Sequence, residues 1–137
     1  MRVLVDTNVV LDVLLDRQPF AKAAVKIFAL IEESRIEGFL GATTITTIDY
    51  LLCQALPREE ARKALKRLLG LFEIAPVNRP VLEQALHSKV AGFEDAVLEQ
   101  AARLVGADVI ATRNCSDFKA STVTVMDPAE LLATIRG

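Results

Sequence analysis

Apolar residues in this chain fall into two kinds of run that alternate from one end to the other. Short uninterrupted runs rich in β-branched residues read as strands buried on both faces. Longer stretches with apolar residues at helical spacing read as amphipathic helices. Val3-Leu4-Val5 is the first short run, and it ends on Asp6-Thr7-Asn8. Val9, Leu11, Val13, Leu14 and Leu15 continue as far as Asp16-Arg17. This predicts a strand feeding straight into a helix, with Asp6 at the strand's carboxyl end and capping-type residues at the junction. In open parallel α/β sheets that edge is where ligands sit.

Pro19 predicts the first turn of a second helix, carried by Ala21, Ala24, Val25, Phe28 and Ile31 to about Arg35 and broken at Gly38. Phe39 to Ala42 predict a second strand, and Thr43 and Thr44 stand where they would cap a third helix with Ile48, Leu51 and Leu52 inward. Pro57 opens a fourth, whose first-turn acids Glu59 and Glu60 and later bases suit the helix dipole. Glu73 to Val77 predict a third strand, placed at an edge because Pro76 interrupts it. Asn78 caps a helix with Pro80 in its first turn. Phe93 to Val105 form another, stopped by Gly106. Asp108 to Ala111 predict the fourth strand and Thr122 to Met126 the fifth, and Asp127-Pro128 caps a last helix. The alternation predicts an α/β fold with a mainly parallel central sheet of about five strands flanked by helices. The crossovers should be right-handed. Strand order stays open. One domain over residues 1–137 is expected from the length.

Composition narrows the chemistry. Apolar residues make up 52% and charged residues 25%, the balance of a globular chain. A net charge of −2 and a pI near 5.4 exclude a broadly basic surface, so a nucleic-acid ligand would need local Lys and Arg or a bound cation. No apolar stretch is long enough to cross a bilayer, and no signal peptide is read. Cys53 and Cys115 lack CxxC spacing and His87 is the single histidine, which argues against zinc. Reduced thiols in a cytoplasmic protein are the expectation, with Cys53 packing as a small apolar residue. Asp12 and Asp16 are expected on a solvated helix face, and His87 at the surface near a helix end. Arg58, Arg62, Lys63, Lys66 and Arg67 read as a solvated helix face that could also track RNA backbone.

Three acids fall where this fold could gather them: Asp6 after strand one, Asp95 in the first turn of the helix before strand four, and Asp117 in the loop after strand four. Each has a plain alternative. Asp6 could only cap, Asp95 could only answer the helix dipole, and Asp117 could only brace its turn. Together they would repel unless neutralised by an oxygen-loving cation, Mg²⁺ or Mn²⁺. Such an ion lowers the pKa of bound water and stabilises charge on a phosphodiester. Asn8, Thr112 and Asn114 would then orient water or phosphate, with Thr7 as a further polar neighbour.

VDTNVVLDVLLDRQPF, FEDAV and VIATRNCSDF, with the closing TVTVMDPAELL, together resemble the PIN-domain family over nearly the whole chain. The resemblance implies a metal-dependent ribonuclease, similar to the VapC-type toxins of toxin–antitoxin pairs. It implies RNA as substrate, an antitoxin protein as partner and a homodimer, expected here through helices two to four. By position, Asp6 matches the family's first metal-ligating aspartate and Asp95 its helix-start aspartate. Asn114 and Asp117 share the segment of its last acidic site. The family commonly has a glutamate in the helix after the second strand. TTITTIDYLL has none, leaving Asp49 or Thr47 as the occupant of that position. Two functions are therefore carried forward: a Mg²⁺- or Mn²⁺-dependent endoribonuclease, and a catalytically weakened PIN-like domain that binds RNA or protein. A phosphatase using Asp6 as nucleophile ranks last, because residue 8 is Asn where an acid is needed.

Overall fold

The computed structural model describes residues 1–136. In chain order it contains β1 (Arg2–Val5), α1 (Thr7–Leu14), α2 (Ala21–Glu32), β2 (Glu37–Gly41), α3 (Ala42–Ala55) and α4 (Arg58–Leu71). There follow β3 (Glu73–Ala75), α5 (Arg79–Leu86), α6 (Phe93–Leu104), β4 (Val109–Ala111), a 3₁₀ turn (Cys115–Phe118), β5 (Thr124–Met126) and α7 (Pro128–Arg136). The five strands form one sheet in the order β3-β2-β1-β4-β5, every neighbouring pair parallel. The predicted α/β fold and the edge position of β3 both hold.

Alternation along the strands divides the core in two. Side chains of successive strand residues point to opposite faces. Val3 and Val5 of β1, Leu40 of β2 and Val109 and Ala111 of β4 therefore pack on one face, against α1 to α4 and α7. Leu4, Phe39 and Ile110 pack on the other, beneath α5 and α6. β1 lies at the centre of both, and Val3, Leu4 and Val5 are wholly buried. That is why this strand reads as an unbroken apolar run.

The topology creates a break in strand order. From β1 the chain steps outward through β2 to β3, then returns across the opposite face through α5 and α6 to place β4 on the other side of β1. The crevice at the carboxyl ends of β1 and β4 is thus the switch point of an open α/β sheet, where connections diverge and ligands have room.

Several local expectations are corrected. Gly38 does not break a helix; it lies inside β2, paired with Val3. A Cβ there would sit 2.6 Å from the Ile31 side chain and 2.9 Å from the Phe72 ring, so glycine is required by close packing. α2 instead ends before Ser34, which takes a left-handed φ of 58°. Nor do Thr43 and Thr44 cap α3. The helix leaves β2 directly with Gly41 as N-cap and no side-chain cap bond. Thr44 is buried, and Thr46 and Thr47 donate to the Thr43 carbonyl. α2 begins at Ala21, with Phe20 rather than a proline turn as its N-cap. The caps expected of Asn78 and Asp127 are present. Val81 N–H donates to Asn78 Oδ1 at 3.1 Å. Asp127 and Glu130 each accept from the other's backbone N–H, at 2.8 and 3.2 Å, a reciprocal capping box.

Candidate active site

Asp6 stands at the switch point. Its backbone N–H still donates to the Ala111 carbonyl at 2.9 Å, so it closes the ladder between β1 and β4. Its side chain is fixed by three donors. Oδ1 accepts from Thr7 N–H at 2.8 Å, which also caps α1. Oδ2 accepts from the Thr112 hydroxyl at 2.8 Å and from Asn8 Nδ2 at 3.3 Å. Thr112 Oγ1 in turn accepts from Asn8 Nδ2 at 3.2 Å and Asn114 N–H at 3.1 Å. The hydroxyl's one proton is therefore committed to Asp6. Burial pushes the Asp6 carboxyl above its ordinary range; the bonds from Thr112 and Thr7 pull it down, and the charges of Glu94 and Asp117 push it up again.

Asp95 reaches the same edge from the first turn of α6. Its carboxyl is raised to about 6, by burial first and then by the charges of Asp6, Asp117 and Glu94. No hydrogen bond contributes. Asp117 projects from the 3₁₀ turn after β4 and is exposed. The charge of Asp117 thus reaches both Asp6 and Asp95, and that of Asp6 reaches Asp95, at one sheet edge. Glu94 belongs to the same electrostatic group. Its adjacency to Asp95 in FEDAV was the only signal for it, and that pair reads equally well as first-turn helix chemistry. Asp49 is not among the charges pressing on Asp6 or Asp95. It lies on α3, where its Oδ1 faces the Cys53 thiol at 3.8 Å. Asn114 is exposed and joins the group through its backbone N–H.

One acid overturns its expectation. Asp12 is not on a solvated face; it is 1% exposed. Its Oδ1 accepts from Arg17 Nε at 2.9 Å and Arg113 Nη2 at 3.2 Å, and its Oδ2 from Arg113 Nε at 2.6 Å. The two guanidiniums neutralise it where a lone carboxylate could not be buried. Arg113 also stacks on Phe20, 3.9 Å from the ring centre, and its backbone N–H donates to Asn8 Oδ1 at 3.1 Å. The segment after β4 is therefore tied to α1 beside the site. Cys53 departs too, being exposed rather than packed inward, because its position on α3 faces away from the sheet.

The sequence model of the family described as "PIN domain" matches residues 2–116. The chain belongs to the PIN-domain family. Solved structures place this PIN domain among similar folds. VapBC2 from Rickettsia felis, bound to a DNA fragment from its promoter, aligns with a TM-score of 0.70 at 14% identity, over 93% of this chain and 98% of that one. FitAcB from Neisseria gonorrhoeae gives 0.69 at 24% identity, over 93% and 98%. VapC20 from Mycobacterium tuberculosis, described as a sarcin-ricin loop cleaving toxin, gives 0.63 at 16% identity, over 79% and 86%. At such identities the likeness is one of fold. No curated protein matches the sequence.

The donor set of this PIN domain suits a hard cation. Asp6, Asp95, Asp117 and Glu94 offer only oxygen, and the Asp95 carboxyl, raised to about 6 by burial first, is pushed further by the charges of the other three. Among the described residues, no Lys or Arg is paired with any of the four. Nor do three carboxylate, imidazole or thiolate groups gather tightly enough to share one ion directly.

Proposed function

We propose that this PIN domain is a Mg²⁺- or Mn²⁺-dependent endoribonuclease, the toxin of a toxin–antitoxin pair. The observation that carries the reading is the meeting of Asp6 after β1, Asp95 in the first turn of α6 and Asp117 in the turn after β4 at the switch point of the sheet, with Asp95 and Asp117 lining one cleft. Asp6, Asp95 and Asp117 would hold the ion through one or two carboxylates and through its retained waters, as is usual for Mg²⁺. When bound, such an ion supplies a hydroxide at neutral pH and neutralises charge on the phosphodiester. Asp6 is held in one orientation by Thr7, Asn8 and Thr112, which removes the cost of ordering it on binding. Asn8 and Thr112 are saturated by this network, so they act as positioning residues. Asn114, with its side chain exposed, is the neutral group free to orient water or phosphate.

Asp49 or Thr47 would occupy the position of the family's helix glutamate. Partners follow the complexes formed by similar structures: an antitoxin protein, as in the toxin–antitoxin complex from Klebsiella pneumoniae, with RNA as substrate. A homodimer through α2 to α4 is supported by Val25, Tyr50 and Leu69, each about half exposed or more. No described helix is long and apolar enough to cross a membrane. The free thiols of Cys53 and Cys115 suit the cytoplasm.

A second reading, a weakened domain that binds RNA or protein without cleaving, is favoured by the lack of a glutamate on α3. Cleavage of a labelled generic RNA separates the two. Activity should require Mg²⁺ or Mn²⁺, stop with EDTA and drop sharply in Asp6→Asn and Asp95→Asn. Asp49→Asn decides whether that residue is the stand-in. No metal-dependent cleavage by the wild type, or cleavage surviving both Asp6→Asn and Asp95→Asn, would refute the nuclease assignment.

A further inference from the structure

An acidic site that handles a polyanion needs cations beside it, and among the described residues none is paired to the acids themselves. They lie at the rim. A cleft of about 370 Å³ beside the site is lined by Lys89, Gly92, Asp95, Ser116, Asp117 and Lys119. The two lysines therefore face the same space as two of the three aspartates. Among the described residues neither takes part in an ion pair, so their charge is available to a ligand. Beyond Lys89 a second cleft of about 260 Å³ continues the path, with His87 and Arg103 on its wall.

The two lysines come from segments far apart in sequence, and one buried carboxylate holds both segments. Glu99 of α6 is 1% exposed. Its Oε1 accepts from the Ser88 hydroxyl, next to Lys89, and from Gln100 Nε2 at 2.9 Å. Its Oε2 accepts from Thr122 N–H at 2.8 Å and from the Thr122 hydroxyl at 3.3 Å. Thr122 closes the segment that carries Lys119. Glu99 thus pins the α5–α6 connection to the segment before β5, and sets the spacing of the lysine-bearing backbone across the cleft. The basic residues of α4, by contrast, line neither cleft.

We propose that Lys89 and Lys119 form a phosphate clamp for single-stranded RNA at the rim of the acidic site, with the strand continuing past Arg103. The clamp rests on the ribonuclease reading and names the path its substrate takes. Each phosphate neutralised on a single strand contributes about 0.7 to the slope of log K against log salt. Near 0.1 M salt that is about fivefold in affinity for each lysine.

The test is a titration of fluorescein-labelled single-stranded RNA with the full chain, followed by anisotropy over a range of salt in EDTA and in Ca²⁺, a hard cation used in place of Mg²⁺ so that the probe is not cleaved. Lys89→Ala with Lys119→Ala should weaken binding about 25-fold and lower the salt slope by about 1.4. Arg62→Ala with Lys66→Ala on α4 should change neither. Wild-type affinity and slope in the lysine variant would overturn the clamp while leaving the ribonuclease reading in place. The same loss in the α4 variant would move the path elsewhere and overturn it too. A wild-type chain that binds no RNA in either buffer would remove both the clamp and the reading beneath it.

Discussion

Replacing Asp95 by Asn in metal-free protein reads the electrostatics of the site directly, because this carboxylate is raised by burial and like charges with no hydrogen bond to confuse the outcome. The folded state raises its pKa from 3.8 to about 6. The folded chain therefore binds the proton more tightly than the unfolded one. That stabilisation is fully present below pH 3.8 and is lost as pH rises through about 6. At neutral pH the ionised group carries the whole penalty. For a shielded carboxylate the shift corresponds to about 3 kcal/mol. Asp95 is only half-buried, and solvent screening reduces this to about 1–2 kcal/mol. Loss of a favourable first-turn charge opposes the gain by about 0.3–1 kcal/mol. Asp95→Asn should thus stabilise the apo protein by about 1 kcal/mol at neutral pH and raise Tm by about 3–5 °C. The gain should vanish below about pH 4. Calorimetric melts of wild type and variant in EDTA across this range measure it. Millimolar Mn²⁺ should then raise the wild-type Tm and close the gap, since an ion that binds only the folded state adds about 1.4 kcal/mol at ten times its Kd. A variant less stable than wild type at neutral pH, or a gap that does not change with pH, would refute the penalty assigned to the ionised Asp95 carboxylate.

Other perturbations follow from the same contacts. Asp12→Ala strips the partner from Arg17 and Arg113, whose side chains are 39% and 27% exposed and can partly rehydrate; urea unfolding should show a loss of about 2–3 kcal/mol, and less than about 0.5 would mean the pair is idle. Burial pushes the Glu99 carboxyl up, but bonds from Ser88, Thr122 and Gln100 outweigh it and hold it below its ordinary 4.5. Its stabilisation is present above pH 4.5 and lost as pH falls through the lowered value. Glu99→Gln should therefore flatten the acid limb of the stability profile and cost about 2–3 kcal/mol at neutral pH; an unchanged acid limb would count against it. Gly38→Ala forces a methyl toward Ile31 and Phe72. It should cost about 1–3 kcal/mol in the same unfolding assay without changing RNA cleavage, and a neutral substitution would show that the Phe72 ring can yield.

The fold was legible because its strands are short, apolar and separated by helices with clear stops, which leaves few parallel arrangements. Strand order was not, since nothing in the Val109–Ala111 run says which side of β1 it joins. Asp6 and Asp95 could be singled out because each ends or begins an element at the same edge. Asp12 was misread for a physical reason. An isolated acid within an apolar helix is compatible with burial only if cations arrive from elsewhere, and Arg113 lies about a hundred residues away in sequence. Glu99 escaped notice on the same ground: its donors come from Ser88 and Thr122, on two different connections. Gly38 and the threonines of α3 show that glycine and threonine serve packing as readily as they serve turns and caps. The rim lysines carried no pattern at all, because a pair made across a cleft has no spacing along the chain.

The segment from Arg113 to Thr122 is held at its two ends by carboxylates from opposite sides of the sheet, Asp12 on α1 and Glu99 on α6. Between these anchors only Phe118 is buried. The fold therefore places its specificity in the tethers and leaves the span between them, Asp117 and Phe118 apart, open to mutation. Asn114, Ser116, Lys119 and Ala120 can be exchanged without touching either core, provided the anchors remain. A lineage of such proteins could alter what this edge recognises by drifting within the span, and the stability of the chain would not register the change. Selection on the anchors and selection on the span would leave separate marks: strict retention of Asp12, Arg113 and Glu99, and divergence at Asn114, Ser116, Lys119 and Ala120 around a retained Asp117.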